Sequence, residues 1–194
     1  LQAGYTTEDL AVTGTKVANA EQTLADKRQA LRDYLNDAYT KANNAVGVYV
    51  DQFFSNPKTS NPQLSIVVPD TQLKVSLENS RQLAESKFGV WQNLLADLND
   101  GNLLTSANQA ENYLATIRDF LEKMAQAVNA LTIITYRSDV STARTAVNTA
   151  ITNLTAAKEA DRAAESALAL AESELGLKQA GTRAEDLAEA KAKI

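Results

Sequence analysis

Residues 140–175 read VSTARTAVNTAITNLTAAKEADRAAESALALAESEL. Val140, Val147, Leu154, Asp161, Leu168 and Leu175 stand seven residues apart, and Ala143, Ala150, Ala157, Ala164 and Ala171 follow the first five of them by three. Apolar positions at alternating spacings of three and four are the mark of a helix that offers one seam to a partner helix. Large and small side chains alternate along this seam, so the partner can approach closely. Asp161 breaks the apolar series and reads as a solvated edge, with a register-fixing polar residue as the alternative. The helix is expected to run to about Gln179 and to stop at Gly181.

Upstream, Leu10, Val17, Leu24, Leu31, Ala38 and Ala45 repeat the seven-residue spacing and predict a first long helix from Thr7 to about Phe54. Thr6 or Thr7 can cap it, and Glu8 and Asp9 face the positive end of its dipole. At 1.5 Å per residue it would be roughly 70 Å long. Asn56-Pro57 stops it. Residues 55–69, SNPKTSNPQLSIVVP, read as an exposed loop with two Ser-Asn-Pro turns and an extended apolar strap. A second helix is expected from about Asp70, carrying Leu73, Leu77, Leu83, Phe88, Trp91, Leu94, Leu95 and Leu98 and ending at Asp100-Gly101. A third should begin near Thr105 or Ser106 with the stripe Ala110, Leu114, Ile117, Leu121, Met124, Val128 and Leu131.

Two long and two short helices cannot be aligned over their whole length. Ten of the eleven aromatic residues lie between Tyr34 and Tyr136, whereas 7–33 and 157–179 are Ala-rich and nearly free of rings. Rings fill a wide core and alanines suit a narrow contact. The expected fold is therefore all-α, a long antiparallel two-helix coiled-coil stalk (7–33 and 157–180) continuing into a four-helix bundle (34–156). Residues 1–6 then read as the end of a preceding helix and a break, and 181–194 as the start of a following helix.

Composition narrows the function. The 194 residues are 44% hydrophobic, with 24 acidic and 19 basic side chains spread along the chain and a net charge of −5. No basic stripe exists to neutralise phosphates, which argues against nucleic acid. There is no cysteine and no histidine, so thiol nucleophiles, imidazole bases and the commonest metal ligands are missing. No catalytic, cofactor-binding or metal-binding residues are expected, and the chain is not expected to be an enzyme. Lack of cysteine suits an exported, extracytoplasmic protein. No apolar run reaches the roughly 20 residues of a membrane span, so no direct membrane insertion is expected. A chain opening at Leu1 reads as a mature form or an excised fragment.

The two ends repeat. Gln2-Ala3-Gly4 with Glu8-Asp9-Leu10-Ala11 recurs as Gln179-Ala180-Gly181 with Glu185-Asp186-Leu187-Ala188, an offset of 177 residues. Gly as a helix stop, then Thr as a cap, then two acids in the first turn, reads as a helix-to-helix break at Gly4, Glu8 and Asp9 and again at Gly181, Glu185 and Asp186. LALAESEL at 168–175 leading into AGTRAEDLAEAK at 180–191 resembles the helical region of HlyD-type membrane fusion proteins, the periplasmic adaptor subunits. DQFFSNP at 51–57, SNPQL at 60–64 and RSDVSTAR at 137–144 resemble a branch of that family whose hairpin carries an inserted helical bundle.

The resemblance implies a non-enzymatic adaptor or spacer of an efflux or secretion assembly. Its partners would be proteins of a membrane transport complex, and its anchor and β-rich parts would lie outside these residues. Self-association through the coiled coil is a further expectation. Members that dock on an outer channel resemble one another in an Arg, Leu, Ser tip pattern that none of Arg28, Arg32, Arg81, Arg118, Arg137 and Arg144 reproduces. The contact surface is therefore expected on the 55–69 loop, at Asn56, Lys58, Thr59, Asn61, Leu64, Ile66 and Val68. An extracytoplasmic four-helix sensor and a repeat-built surface protein are the alternatives.

Other motifs have plainer readings. Asp97-Leu-Asn-Asp-Gly-Asn102 is a poor calcium loop, with its glycine one position early, and suits a helix end and turn. Asn153-Leu-Thr155 matches a glycosylation sequon on a predicted helix, where the backbone is unsuitable. Trp91 and the ring-rich stripe are expected in the core.

Overall fold

A computed structural model describes residues 5–192, the side chains of 182–190 excepted. Among these residues the chain forms four α-helices, one 3₁₀ turn and one two-residue antiparallel ladder, so the molecule is all-α in class. Helix α1 (Thr7–Gly47) starts on a reciprocal cap: the Asp9 N–H donates to Thr6 Oγ1 and the Thr6 N–H donates to Asp9 Oδ2, each at 3.1 Å. Both bonds satisfy backbone donors that a first turn leaves orphaned. The helix ends at Gly47, short of the expected Phe54. Val48 to Val50 turn instead, and Asp51–Phe53 form the 3₁₀ turn. Glycine and branched valines hold a helix less well than the Ala-rich sequence before them.

Strands β1 (Phe54–Ser55) and β2 (Gln63–Leu64) pair antiparallel, Phe54 opposite Leu64 and Ser55 opposite Gln63. Helix α2 (Thr71–Ala96) has the expected start, for Asp70 Oδ1 accepts from the N–H groups of Gln72 at 2.8 Å and Leu73 at 3.1 Å. Helix α3 (Leu103–Asn129) begins before the expected Thr105, because Asn99 and Asn102 close the intervening turn with their own side chains. Helix α4 (Ile134–Ala192) follows.

The expected break at Gly181 is corrected by α4, which continues through it to Ala192. No described glycine adopts a positive φ, and an interior glycine costs only about 1 kcal/mol against alanine. The two repeat copies also differ at the deciding position: Thr6, which caps α1, corresponds to Arg183. A guanidinium accepts no hydrogen bond and cannot cap. Gly4 lies outside the described residues, as do the side chains of Glu185 and Asp186.

The chain divides into two compact units, Leu1–Gln29 with Glu159–Ile194, and Ala30–Lys158. The second unit is a helical bundle with one core, to which all four helices contribute. Leu31, Leu35 and Val46 come from α1, Leu77, Phe88 and Trp91 from α2, Leu114, Ile117, Phe120 and Leu121 from α3, and Val140, Val147 and Leu154 from α4. Trp91 is met edge-on by Tyr39 with centroids 5.6 Å apart, and Phe53 by Tyr136 at 4.9 Å. Such pairs add to simple burial. Leu83, expected in the α2 stripe, is instead 47% exposed, and Ala84 takes the core position.

Within the first unit, Arg28 faces Glu165 at 3.8 Å, Lys16 faces Glu174 at 3.2 Å, and Lys178 Nζ donates to Thr13 Oγ1 at 2.8 Å. Rising numbers on one helix meet falling numbers on the other, so the two segments run antiparallel. Asp161, read as a solvated edge, is only 1% exposed. It is buried in the heptad series between Leu154 and Leu168, so the solvated-edge reading is corrected.

Candidate partner-contact site

The 55–69 segment is a short hairpin rather than a featureless loop. Asn56 turns the chain with φ of 54°, a left-handed conformation that asparagine tolerates better than most residues. Its carbonyl accepts from the Thr59 N–H at 3.2 Å and from Thr59 Oγ1 at 2.9 Å. Thr59 Oγ1 in turn accepts from the Asn61 N–H at 3.3 Å, and Asn61 Oδ1 accepts from Gln63 Nε2 at 2.9 Å. The two Ser-Asn-Pro turns therefore bond to themselves and leave their outer faces to solvent.

The structure splits the expected contact residues. Asn56, Lys58, Thr59 and Asn61 are exposed at the hairpin end. Leu64, Ile66 and Val68 are corrected: Leu64 is buried in the core cluster, and Ile66 and Val68 pack against it. The physical reason is the ladder, which turns Leu64 inward opposite Phe54, with period-two alternation then carrying Ile66 and Val68 to the same side. Val67 is the one apolar residue of the strap that points outward, 80% exposed.

Sequence reasoning missed the residue that ties this segment down. Arg81 on α2 is 1% exposed; its Nε donates to Asp51 Oδ1 at 2.6 Å, its Nη2 to Asp51 Oδ2 at 3.0 Å, and its Nη1 to Glu85 Oε2 at 3.0 Å. One turn earlier, Glu78 Oε1 accepts from the Leu64 N–H at 2.9 Å. A bidentate guanidinium fixes both distance and orientation, so the 3₁₀ turn and the hairpin behind it are held against α2. A signal was present, because Arg81 continues the series Leu73, Leu77 and precedes Ala84, Phe88 and Trp91 on one helix face.

No reacting pair emerges around these groups. Arg81 is paired with two carboxylates, and among the described residues no three acidic side chains gather where a metal ion could be held. The calcium-like turn is occupied by its own bonds: the Gly101 N–H donates to Asn99 Oδ1 at 3.0 Å, Asn102 Nδ2 donates to the Asp97 carbonyl at 2.9 Å, and Asp100 pairs with Arg32. In the first unit, the N–H and hydroxyl of Thr6 hold the Asp9 carboxyl below the usual carboxylate range. Hydrogen bonds from Lys16 and Lys178 do the same for Glu174. Gly181 lies beneath the Tyr5 ring, where an added Cβ would sit 3.4 Å from it, and Lys178 Nζ stands 5.4 Å from that ring's centroid.

Comparison with protein-family models, curated proteins and solved structures finds none that matches the chain. Among the described residues, no helix is long and apolar enough to cross a membrane.

Proposed function

We propose that the chain is a non-enzymatic structural adaptor, the helical hairpin part of a membrane fusion protein of HlyD type, acting as a spacer in an extracytoplasmic transport assembly. One observation carries the reading: the described chain starts and finishes in the same antiparallel helical pair, and the bundle is inserted between its two strands of sequence. That topology is what a coiled-coil stalk continuing into a four-helix bundle requires, and it agrees with the LALAESEL and AGTRAEDLAEAK resemblance. In this reading the stalk leads back to a membrane-anchored base, and the hairpin end at Asn56, Lys58, Thr59 and Asn61 meets a protein of the assembly. Hydrated turns backed by the Arg81–Asp51 clamp suit a contact surface held in one shape.

The test places photo-crosslinkers at Lys58 and Thr59 of the full-length protein, with Lys27 in the first unit as the comparison. Capture of an envelope transport component at 58 and 59 supports the reading. Capture at Lys27 alone sinks the presenting role and leaves a spacer. Flanking sequence that lacks a β-rich part on either side would remove the adaptor reading altogether.

A further inference from the structure

Helix α2 carries a second apolar line that the core does not use. Val75, Leu83 and Val90 are 49%, 47% and 50% exposed, and spacings of eight and seven place them on one side of the helix. Beside them opens a surface groove of about 500 Å³, lined by Val75, Leu83, Ser76, Asn79, Ser80 and, from α3, Lys123. Lys123 is half-buried, and its Nζ donates to Ser80 Oγ at 3.0 Å. No carboxylate pairs with it among the described residues, whereas the buried Arg81 holds two and the buried Lys158 holds one. The groove thus offers apolar walls and a single cation whose only bonded neighbour is a neutral hydroxyl.

We propose that this groove is the docking site for an amphipathic helix of another protein, one that places a carboxylate between apolar residues at heptad spacing. Charge complementarity selects the acid. An ammonium partly withdrawn from water gains more from a carboxylate than an exposed one does, and one left beside an apolar ligand would lose solvation without return. The exposed line continues past the groove to Val90, and from Val75 it spans roughly 22 Å, about four turns, which suits a helix lying along α2. The half-exposed Val75, Leu83 and Val90 supply the anchors that an i, i+7 pattern on the partner would cover. The site lies outside the 55–69 hairpin, so it does not depend on the adaptor reading.

The test is selection of a displayed library of random 18-residue peptides on the immobilised 194-residue chain. Expected winners carry Asp or Glu with apolar residues three or four positions to each side. As synthetic peptides they bind the parent chain about tenfold or more tighter than Lys123→Glu or Leu83→Asp variants whose helical spectra and melting are unchanged. A peptide with Lys in place of its acid should regain binding to Lys123→Glu. Enriched peptides without an acid, equal binding to Lys123→Glu, or no enrichment would overturn the proposal. So would concentration-dependent self-association abolished by Leu83→Asp, since it would give the groove to a second copy of this chain.

Discussion

Arg81 shows how one side chain can hold a segment that has little secondary structure of its own. Its guanidinium is 1% exposed and spends its donors on Asp51 and Glu85, so removing it leaves carboxylates facing a space shaped for a cation. Arg81→Met is expected to cost about 3–5 kcal/mol in urea unfolding, and Arg81→Met with Asp51→Asn distinctly less, because the double change strands no charge at that turn. An equal loss for both would show that packing, not charge, is what Arg81 supplies. Trp91 invites the opposite comparison. It is 0% exposed, and its indole N–H has no hydrogen-bond partner among the described residues. Trp91→Ala should cost about 3–5 kcal/mol, while Trp91→Phe should cost no more than about 2, since it opens a smaller cavity and removes an unsatisfied donor. Thermal unfolding of the two variants separates the terms.

At the scale of elements, the start of α1 and its pairing with α4 rest on carboxylates whose folded pKa lies below the ordinary range, Asp9 through Thr6 and Glu174 through Lys16 and Lys178. A depressed pKa means that the stabilisation is complete above the unfolded value and vanishes as pH falls through the folded one. Amide exchange in residues 7–29 should therefore rise as pH drops below the usual carboxylate range, after correction for the intrinsic exchange rate, and Glu174→Gln should flatten that response. Element identity was largely legible: heptads at Leu10 to Ala45 and Val140 to Leu175 marked the long helices, and Asp70 marked the start of α2. The ends were harder to read. Gly47 ended a helix and Gly181 did not, because branched Val48 and Val50 follow the first, whereas the second has Arg183 where the other repeat copy has the capping Thr6. The contact residues were half legible, since the prolines marked a surface turn but could not reveal that Phe54 pairs with Leu64 and draws the strap inward. Arg81 escaped because a charged residue on an apolar stripe looks like its interruption until a distant Asp51 is placed beside it.

For the whole molecule, the large buried side chains belong to Ala30–Lys158, while the described part of the other unit buries only Leu24 and Ala164 as apolar residues. A chain lacking 34–136, rejoined by a short turn, should remain helical but melt lower and over a broader range than the parent by circular dichroism. Equal cooperativity would mean that the ring-rich core is not the main stabiliser. Helix α4 has a further consequence, for the order in which the chain folds. Along one exposed side, Thr142, Thr145, Thr149 and Thr152 each turn the hydroxyl back to the carbonyl four residues earlier, at 2.9–3.1 Å. Such bonds weaken a helix slightly, and threonine is a poor helix former, whereas 156–180 is rich in alanine. The two stretches of one helix therefore differ in autonomy. Synthetic peptides 138–155 and 156–180 should differ accordingly, the second distinctly more helical at low temperature. In the intact chain the alanine stretch can then exist as a transient helix before any tertiary contact forms, while the threonine stretch must wait for α1, α2 and α3 to surround it.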